Sequence, residues 1–314
     1  MTAYDIFNGD ADGICALVQL RLNDPRFAEL VTGVKRDINL LEKISPKSGD
    51  HLTVLDISMK TNMNGLHRAL DNGAHVFYVD HHNAGDIPKH ENLLAVIDTR
   101  PTICTSLIVN KFLQNAHAEW AVMAAFGDNM QESAITLSAQ IHLTSEQCEK
   151  LKIFGELVNY NGYGSEISDL HFKPADLYTL LSPYQSPFDC LTERPEIYDT
   201  LATGLDADFA KAKSAQNLAP SIMLLDDEKW ARRVSGYYAN WLARQNPDHA
   251  HAILTYNTQG GYTVSVRAAQ NTLQGASDLC DQFPTGGGRA GAAGINHLPQ
   301  DQLDTFIKAF QLAF

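Results

Sequence analysis

The sequence predicts an α/β fold in which a mostly parallel-sheet N-terminal domain is joined by a linker helix to a smaller α/β domain. Three observations carry this. The chain has 314 residues, 44% of them hydrophobic, which exceeds the size at which one core keeps growing. Its first hundred or so residues alternate short β-favouring runs with stretches of helical spacing, the rhythm of parallel strands and crossover helices. Midway, prolines gather at Ser182 to Pro187 and at Arg194-Pro195, and a second alternation follows.

Taken in order, Tyr4 to Phe7 is a short apolar strand, broken by Asn8-Gly-Asp-Ala-Asp-Gly13 before Ile14 to Leu22 resumes with helical spacing. His51 to Ile57 is a second strand, with Asp56 at its end, and Asn62 to Leu70 a helix stopped by Asp71-Asn-Gly73. His75 to Val79 is a strand running into Asp80-His81-His82. Leu93 to Ile97 is another, closing on Asp98 before a helix over Thr105 to Leu113. Trp120 to about Leu181 reads helical and completes a first domain over 1–190. A linker occupies 191–220, with Tyr198 to Leu218 as an exposed connecting helix ending before Pro220. The second domain, 221–314, has strands at Ile222 to Leu225, Ala252 to Tyr256 and Tyr262 to Arg267, a helix through Trp230 to Arg244, a glycine cluster and a terminal helix.

Charge narrows the function classes. Lys plus Arg total 24 against 37 Asp plus Glu, a formal charge of −13, which opposes general attraction to a long polyanion. A short anionic substrate fits and a long duplex does not. The five cysteines form no CxxC pair, so neither a zinc knuckle nor a redox pair is signalled. The N-terminus lacks the pattern of a signal peptide and no apolar run is long enough to span a bilayer, so a cytoplasmic protein without membrane association is expected.

Several predicted strands stop at acids. Asp10 and Asp12, two residues apart on a loop leaving a strand, can each face a hard cation. Alone, Asp-x-Asp-Gly also suits many solvated turns, and Asp56 alone would suit a helix cap. Asp80-His81-His82 adds imidazole nitrogens with an adjacent carboxylate to fix a tautomer, and Asp128 ends a further apolar run. In a parallel sheet such strand ends share one edge, where ligands collect.

The set Asn8-Gly-Asp10-Ala-Asp12-Gly13, Leu55-Asp56-Ile57-Ser58, Val79-Asp80-His81-His82 and Gly127-Asp128 resembles, in order and spacing, the four motifs of the DHH phosphoesterase superfamily. Val264-Ser-Val-Arg267 and Gly286-Gly-Gly-Arg-Ala-Gly-Ala-Ala-Gly294 resemble the strand Arg and glycine-rich substrate loop of its DHHA1 domain. The superfamily includes RecJ-like exonucleases, nanoRNases, cyclic-dinucleotide phosphodiesterases and family II pyrophosphatases. The resemblance implies two divalent ions: Asp56 bridging, Asp10 on one ion, and Asp12, His81 and Asp128 on the other. His82 would face the substrate phosphate and Asp80 would orient the histidine pair. Two positions depart from the pattern. Ile6 stands where many relatives have a histidine ligand, leaving Asn8 either to offer its carbonyl oxygen or to shape the loop, and Arg289 stands where many have histidine.

Paired cations roughly 3.5–4 Å apart suit phosphodiester hydrolysis, because they activate water and neutralise the attacked phosphoryl group. Mixed carboxylate and imidazole ligation favours Mn²⁺, with Co²⁺ or Mg²⁺ as substitutes. Gly286, Gly287 and Gly288 can let backbone amides approach phosphate, and Arg267 and Arg289 can hold a terminal phosphate or base. Arg100, Thr105 and Ser106 are further candidates on the first domain, and a helix cap with an exposed arginine accounts for them equally well. The expectation is a metal-dependent phosphodiesterase for short linear oligoribonucleotides, dinucleotides such as pGpG or pApA above all, with a homodimer allowed. The rival readings are a RecJ-like single-strand exonuclease, a 3′,5′-bisphosphate nucleotidase and a non-catalytic nucleotide sensor.

Overall fold

The computed structural model describes residues 1–314, which divide into two compact units: Met1–Gly162 with Glu166–Ala202, and Tyr163–Ser165 with Thr203–Phe314.

In the first unit β1 (Ala3–Phe7) leads into α1 (Ala11–Asn23), and a short β2 (Glu29–Val31) follows. Next come β3 (His51–Leu55), α2 (Met63–Asp71), β4 (His75–Asp80) and β5 (Leu93–Ile97). All five strands pair in parallel in the order β2-β1-β3-β4-β5. The central strands are apolar along most of their length because helices cover both faces. On one face Ile6, Leu52, Val54, Val76 and Tyr78 pack against Leu66, Ala69 and Leu70 of α2. Each fully buried Leu, Ile or Val there contributes about 1.5–3 kcal/mol. Since β2 and β3 lie on opposite sides of β1, the sheet has a switch point at the end of β1, where such folds open a crevice.

Helices complete the unit: α3 (Thr105–Phe112), α4 (Ala118–Gly127), α5 (Gln131–Gln140), α6 (Ser145–Gly162), α7 (Pro174–Leu181) and α8 (Pro187–Glu193). α4 is apolar nearly all round and buried at every position but Glu119. α6 approaches it closely enough that a Cβ on Gly155 would lie 2.0 Å from the Met123 carbonyl oxygen, so glycine is required there.

α9 (Pro195–Ala212) differs from the expected linker helix. It stops at Ala212, and the residues expected to continue it form β6 (Gln216–Ala219). Nor is it exposed throughout: Ile197, Leu201, Leu205, Asp208 and Ala212 are buried at helical spacing.

The second unit continues with β7 (Ile222–Leu224), α10 (Lys229–Gln245), β8 (His251–Asn257), β9 (Gly261–Arg267), α11 (Ala276–Cys280), β10 (Gly286–Arg289), β11 (Ala292–Pro299) and α12 (Leu303–Ala313). Its sheet runs β10-β11-β9-β8-β7-β6, antiparallel except for β7 with β8. Leu254, Val264, Val266, Ile295, Phe306 and Phe310 form its core. The glycine cluster, expected as a loop, is edge strand β10, with Gly286 opposite Ile295 and Arg289 opposite Ala292. A Cβ on Gly286 would fall 1.7 Å from the Cys280 carbonyl oxygen, which explains glycine in a strand that otherwise disfavours it.

Candidate metal centre

Backbone geometry at the ends of β1, β3 and β4 brings the acids together. Asp10 caps α1, its Oδ1 accepting the N–H groups of Asp12 and Gly13, each at 3.1 Å. Asp12, in the first turn of α1, accepts the Thr105 and Ser106 N–H groups, each at 2.7 Å. The N-terminus of α3 thus holds that carboxylate with its free amides. Asp56 follows β3 at a left-handed φ of 59°, where its N–H still donates to Val79 O at 3.1 Å, and its Oδ1 accepts the Thr105 hydroxyl at 3.1 Å. Asp128 caps the C-terminal end of α4.

The histidines after β4 have different tasks. His81 Nδ1 lies 2.9 Å from Ile103 O; a carbonyl only accepts, so Nδ1 carries a proton and Nε2 is the nitrogen turned to the acids. Around that nitrogen stand Asp56 Oδ1 at 3.5 Å, Asp128 Oδ2 at 3.9 Å and Asp12 Oδ2 at 4.0 Å. His82 Nδ1 lies 2.7 Å from Oδ1 of the fully buried Asp80, while the His82 side chain is 45% exposed.

The electrostatics call for a cation. Burial, then the charges of Asp12, Asp10, Asp128 and Asp80, push the Asp56 carboxyl well above its ordinary pKa. Burial also raises Asp12, with His81 opposing and Asp128 and Asp10 adding to the shift. For Asp10, burial would act the same way, but the Lys35 ammonium and hydrogen bonds outweigh it and the pKa falls. Two sets of ligand atoms lie within 4.8 Å of one another: Asp12, His81 and Asp128, and Asp56, His81 and His82. An imidazole nitrogen ringed by carboxylate oxygens suits a divalent ion of mixed oxygen and nitrogen preference, and the donor set fits one.

Two participants carried no sequence signal. Lys35, on the loop after β2, ion-pairs with Asp10 and lies 3.5 Å from Asp128 Oδ1; Asn159 Oδ1 on α6 accepts from its Nζ at 3.1 Å. Thr105, a candidate for the substrate side, instead supports both Asp12 and Asp56. Asn8 donates through Nδ2 to Lys35 O at 3.3 Å, and its Oδ1 is buried without a hydrogen-bond partner.

Residues 4–139 match the model of the DHH family, N-terminal domain. The chain carries a DHH-family domain. The fold of the whole chain is also that of several solved structures. A DHH domain described as belonging to a family of ribosomal proteins is 14% identical with a TM-score of 0.69, the match covering 99% of this chain and 86% of that one. RecJ from Thermus thermophilus in complex with Mn²⁺ is 16% identical with a TM-score of 0.62, covering 99% of this chain and 51% of that one, so this chain spans about half of it. A pGpG-specific phosphodiesterase, PggH, from Vibrio cholerae is 13% identical with a TM-score of 0.52, and each chain is covered in full. No curated protein matches the sequence.

In the DHH domain the other expected residues fall away from the acids' open side. Ser106 is fully buried; its N–H and hydroxyl serve Asp12, the hydroxyl donating to Asp12 O at 2.8 Å, so it supports a ligand from behind. Arg100, with 64% of its side chain exposed, is tied to Asp98. In the second unit Arg267 donates through Nε to Asn240 Oδ1 at 2.6 Å and through Nη1 to Val266 O at 3.0 Å. Burial lowers the Arg267 pKa, Tyr163 opposing and the nearby Arg289 charge adding to it. The Arg289 charge thus reaches Arg267; Arg289 ends edge strand β10 after Gly286, Gly287 and Gly288, and β11 lies between that strand and Arg267. No helix is long and apolar enough to cross a membrane.

Proposed function

We propose that the chain is a metal-dependent phosphodiesterase that cleaves short linear oligoribonucleotides, dinucleotides such as pGpG or pApA foremost, to nucleoside monophosphates. The observation that carries this reading is His81 Nε2 facing three carboxylates, with Asp56 at 3.5 Å the nearest. Mn²⁺ is the preferred ion, for its acceptance of mixed oxygen and nitrogen ligands. A divalent ion held there would supply neutralisation of phosphoryl charge and activation of water near neutral pH.

The chain's own residues supply the rest. Asp12, Asp128, His81 and Asp56 present the ligands, and Thr105 and Ser106 hold two of them in place. Asp80 fixes the His82 ring through Nδ1, which leaves Nε2 to meet a phosphate oxygen or the leaving group. Arg267 and Arg289 take the terminal phosphate or base of the substrate. The formal charge of −13 supports a short substrate over a long polyanion.

The test is hydrolysis of pGpG by protein stripped with a chelator and then reloaded. Stripped protein is expected to be inactive and Mn²⁺ to restore release of GMP. Unchanged turnover in excess chelator contradicts the reading.

A further inference from the structure

The acidic cluster already contains a cation of its own. Lys35 is anchored from both sides, its N–H donating to Gly162 O at 2.8 Å and its carbonyl accepting from Asn8 Nδ2 at 3.3 Å. The side chain reaches inward with only 22% exposure and sets its ammonium against Asp10 Oδ2, Asn159 Oδ1 and Asp128 Oδ1. The remaining Asp10 oxygen accepts two helix N–H groups, so both oxygens are engaged by donors of this chain.

Asp128 divides the cluster. Its Oδ1 faces Lys35 at 3.5 Å and its Oδ2 faces His81 Nε2 at 3.9 Å. On the His81 side, Asp12, Asp56 and Asp128 all face Nε2, and the two sets of clustered ligand atoms, Asp12 with His81 and Asp128 and Asp56 with His81 and His82, share His81. On the other side, Asp10 and Asn159 already meet an ammonium, and a divalent ion entering there would be repelled by it. Asp10 belongs to neither set of clustered ligand atoms.

We propose that Lys35 is a resident cation of the metal centre, neutralising Asp10 and one side of Asp128 and limiting the centre to a single tightly held divalent ion on the His81 side. The inference rests on the reading of the cluster as a metal centre and is independent of which substrate is cleaved. It assigns Lys35 a positioning role: it holds Asp10 and Asp128 in place without a metal.

The experiment counts Mn²⁺ bound per chain, by calorimetric titration checked with elemental analysis after dialysis, for the wild type, Lys35→Arg and Lys35→Met. One tight equivalent is expected for the wild type and for Lys35→Arg, and a second for Lys35→Met, lost again when Asp10→Asn is added. Two tight equivalents in the wild type overturn the proposal, and that measurement stands even if Lys35→Met does not fold. A folded Lys35→Met protein that still binds one also overturns it. Turnover of pGpG is scored separately: two ions with cleavage discards the role of Lys35 and keeps the phosphodiesterase, whereas one ion without cleavage does the reverse.

Discussion

The Thr105 hydroxyl donates to Asp56 Oδ1 at 3.1 Å, joining the first turn of α3 to a carboxylate held at a left-handed φ of 59°. Asn tolerates that backbone region and Ala does not, so Asp56→Asn is expected to fold and Asp56→Ala to cost roughly 1–2 kcal/mol more. In the metal-free protein the raised Asp56 pKa means that ionisation opposes folding. Wild-type stability in chelator should therefore fall as pH rises above the unfolded carboxyl value towards the raised folded one. Asp56→Asn should lack that component of the slope and melt higher at neutral pH, while losing cleavage. Thermal melts across pH in chelator check this.

Thr105→Val removes one hydroxyl without changing the side chain's shape. The neighbouring amides keep Asp12 in place, so the fold should stand while Mn²⁺ affinity or turnover drops about 10–100-fold, the usual effect of losing a ligand's supporting hydrogen bond. Titration with Mn²⁺ reads it.

Partial desolvation disfavours the charged form of the half-exposed His82 ring, but the hydrogen bond and charge of Asp80, with Asp128 and Asp12 adding to them, hold its pKa above the ordinary histidine value. If His82 acts protonated, activity persists up to that raised pKa and declines beyond it. Asp80→Asn should shift the alkaline limb of the pH–rate profile to lower pH. An unmoved limb would remove His82 from the acid's role.

Away from the centre, Asp50 accepts the N–H groups of Thr2 at 2.7 Å and Lys47 at 2.8 Å, and these bonds hold its carboxyl below the ordinary value. Its contribution is present above the unfolded pKa and is lost as pH falls through the depressed folded one. Asp50→Asn should cost roughly 1–2 kcal/mol at neutral pH, and the gap from wild type should close in acid. Denaturant titrations at two pH values decide it.

Arg289→Ala should raise KM for a dinucleotide by about tenfold or more, the loss of one charge-assisted hydrogen bond, with a smaller effect on kcat. An unchanged KM would place the substrate elsewhere.

Much of the DHH domain was legible because buried parallel strands leave long apolar runs that stop abruptly at polar ends; Leu93–Ile97 matches its run to the residue. The acids could be grouped for the same reason. Lys35 could not, since its place beside Asp10 depends on the three-residue β2 pairing with β1, and Glu-Leu-Val on a half-exposed edge has no periodicity to detect. A hydroxyl at a helix start is ambiguous in sequence, so Ser106 suits the substrate side as well as the core; only the packing of α3 on Asp12 shows it facing inward. The glycine cluster misleads because glycine disfavours strands, whereas here close approach to Cys280 demands it. Pro220 is the visible helix stop in the linker, yet the chain has already turned at Ser214 into an antiparallel pair, and that pairing has no local signal.

The most direct test is the initial rate of hydrolysis with Mn²⁺ for 5′-phosphorylated RNAs of increasing length, with adenosine 3′,5′-bisphosphate, pyrophosphate and cyclic dinucleotides alongside. Rapid cleavage of linear dinucleotides to monophosphates is expected, with a steep fall as the chain lengthens. Faster cleavage of long single strands, or no turnover of any of these substrates by Mn²⁺-loaded protein, would contradict the proposed function.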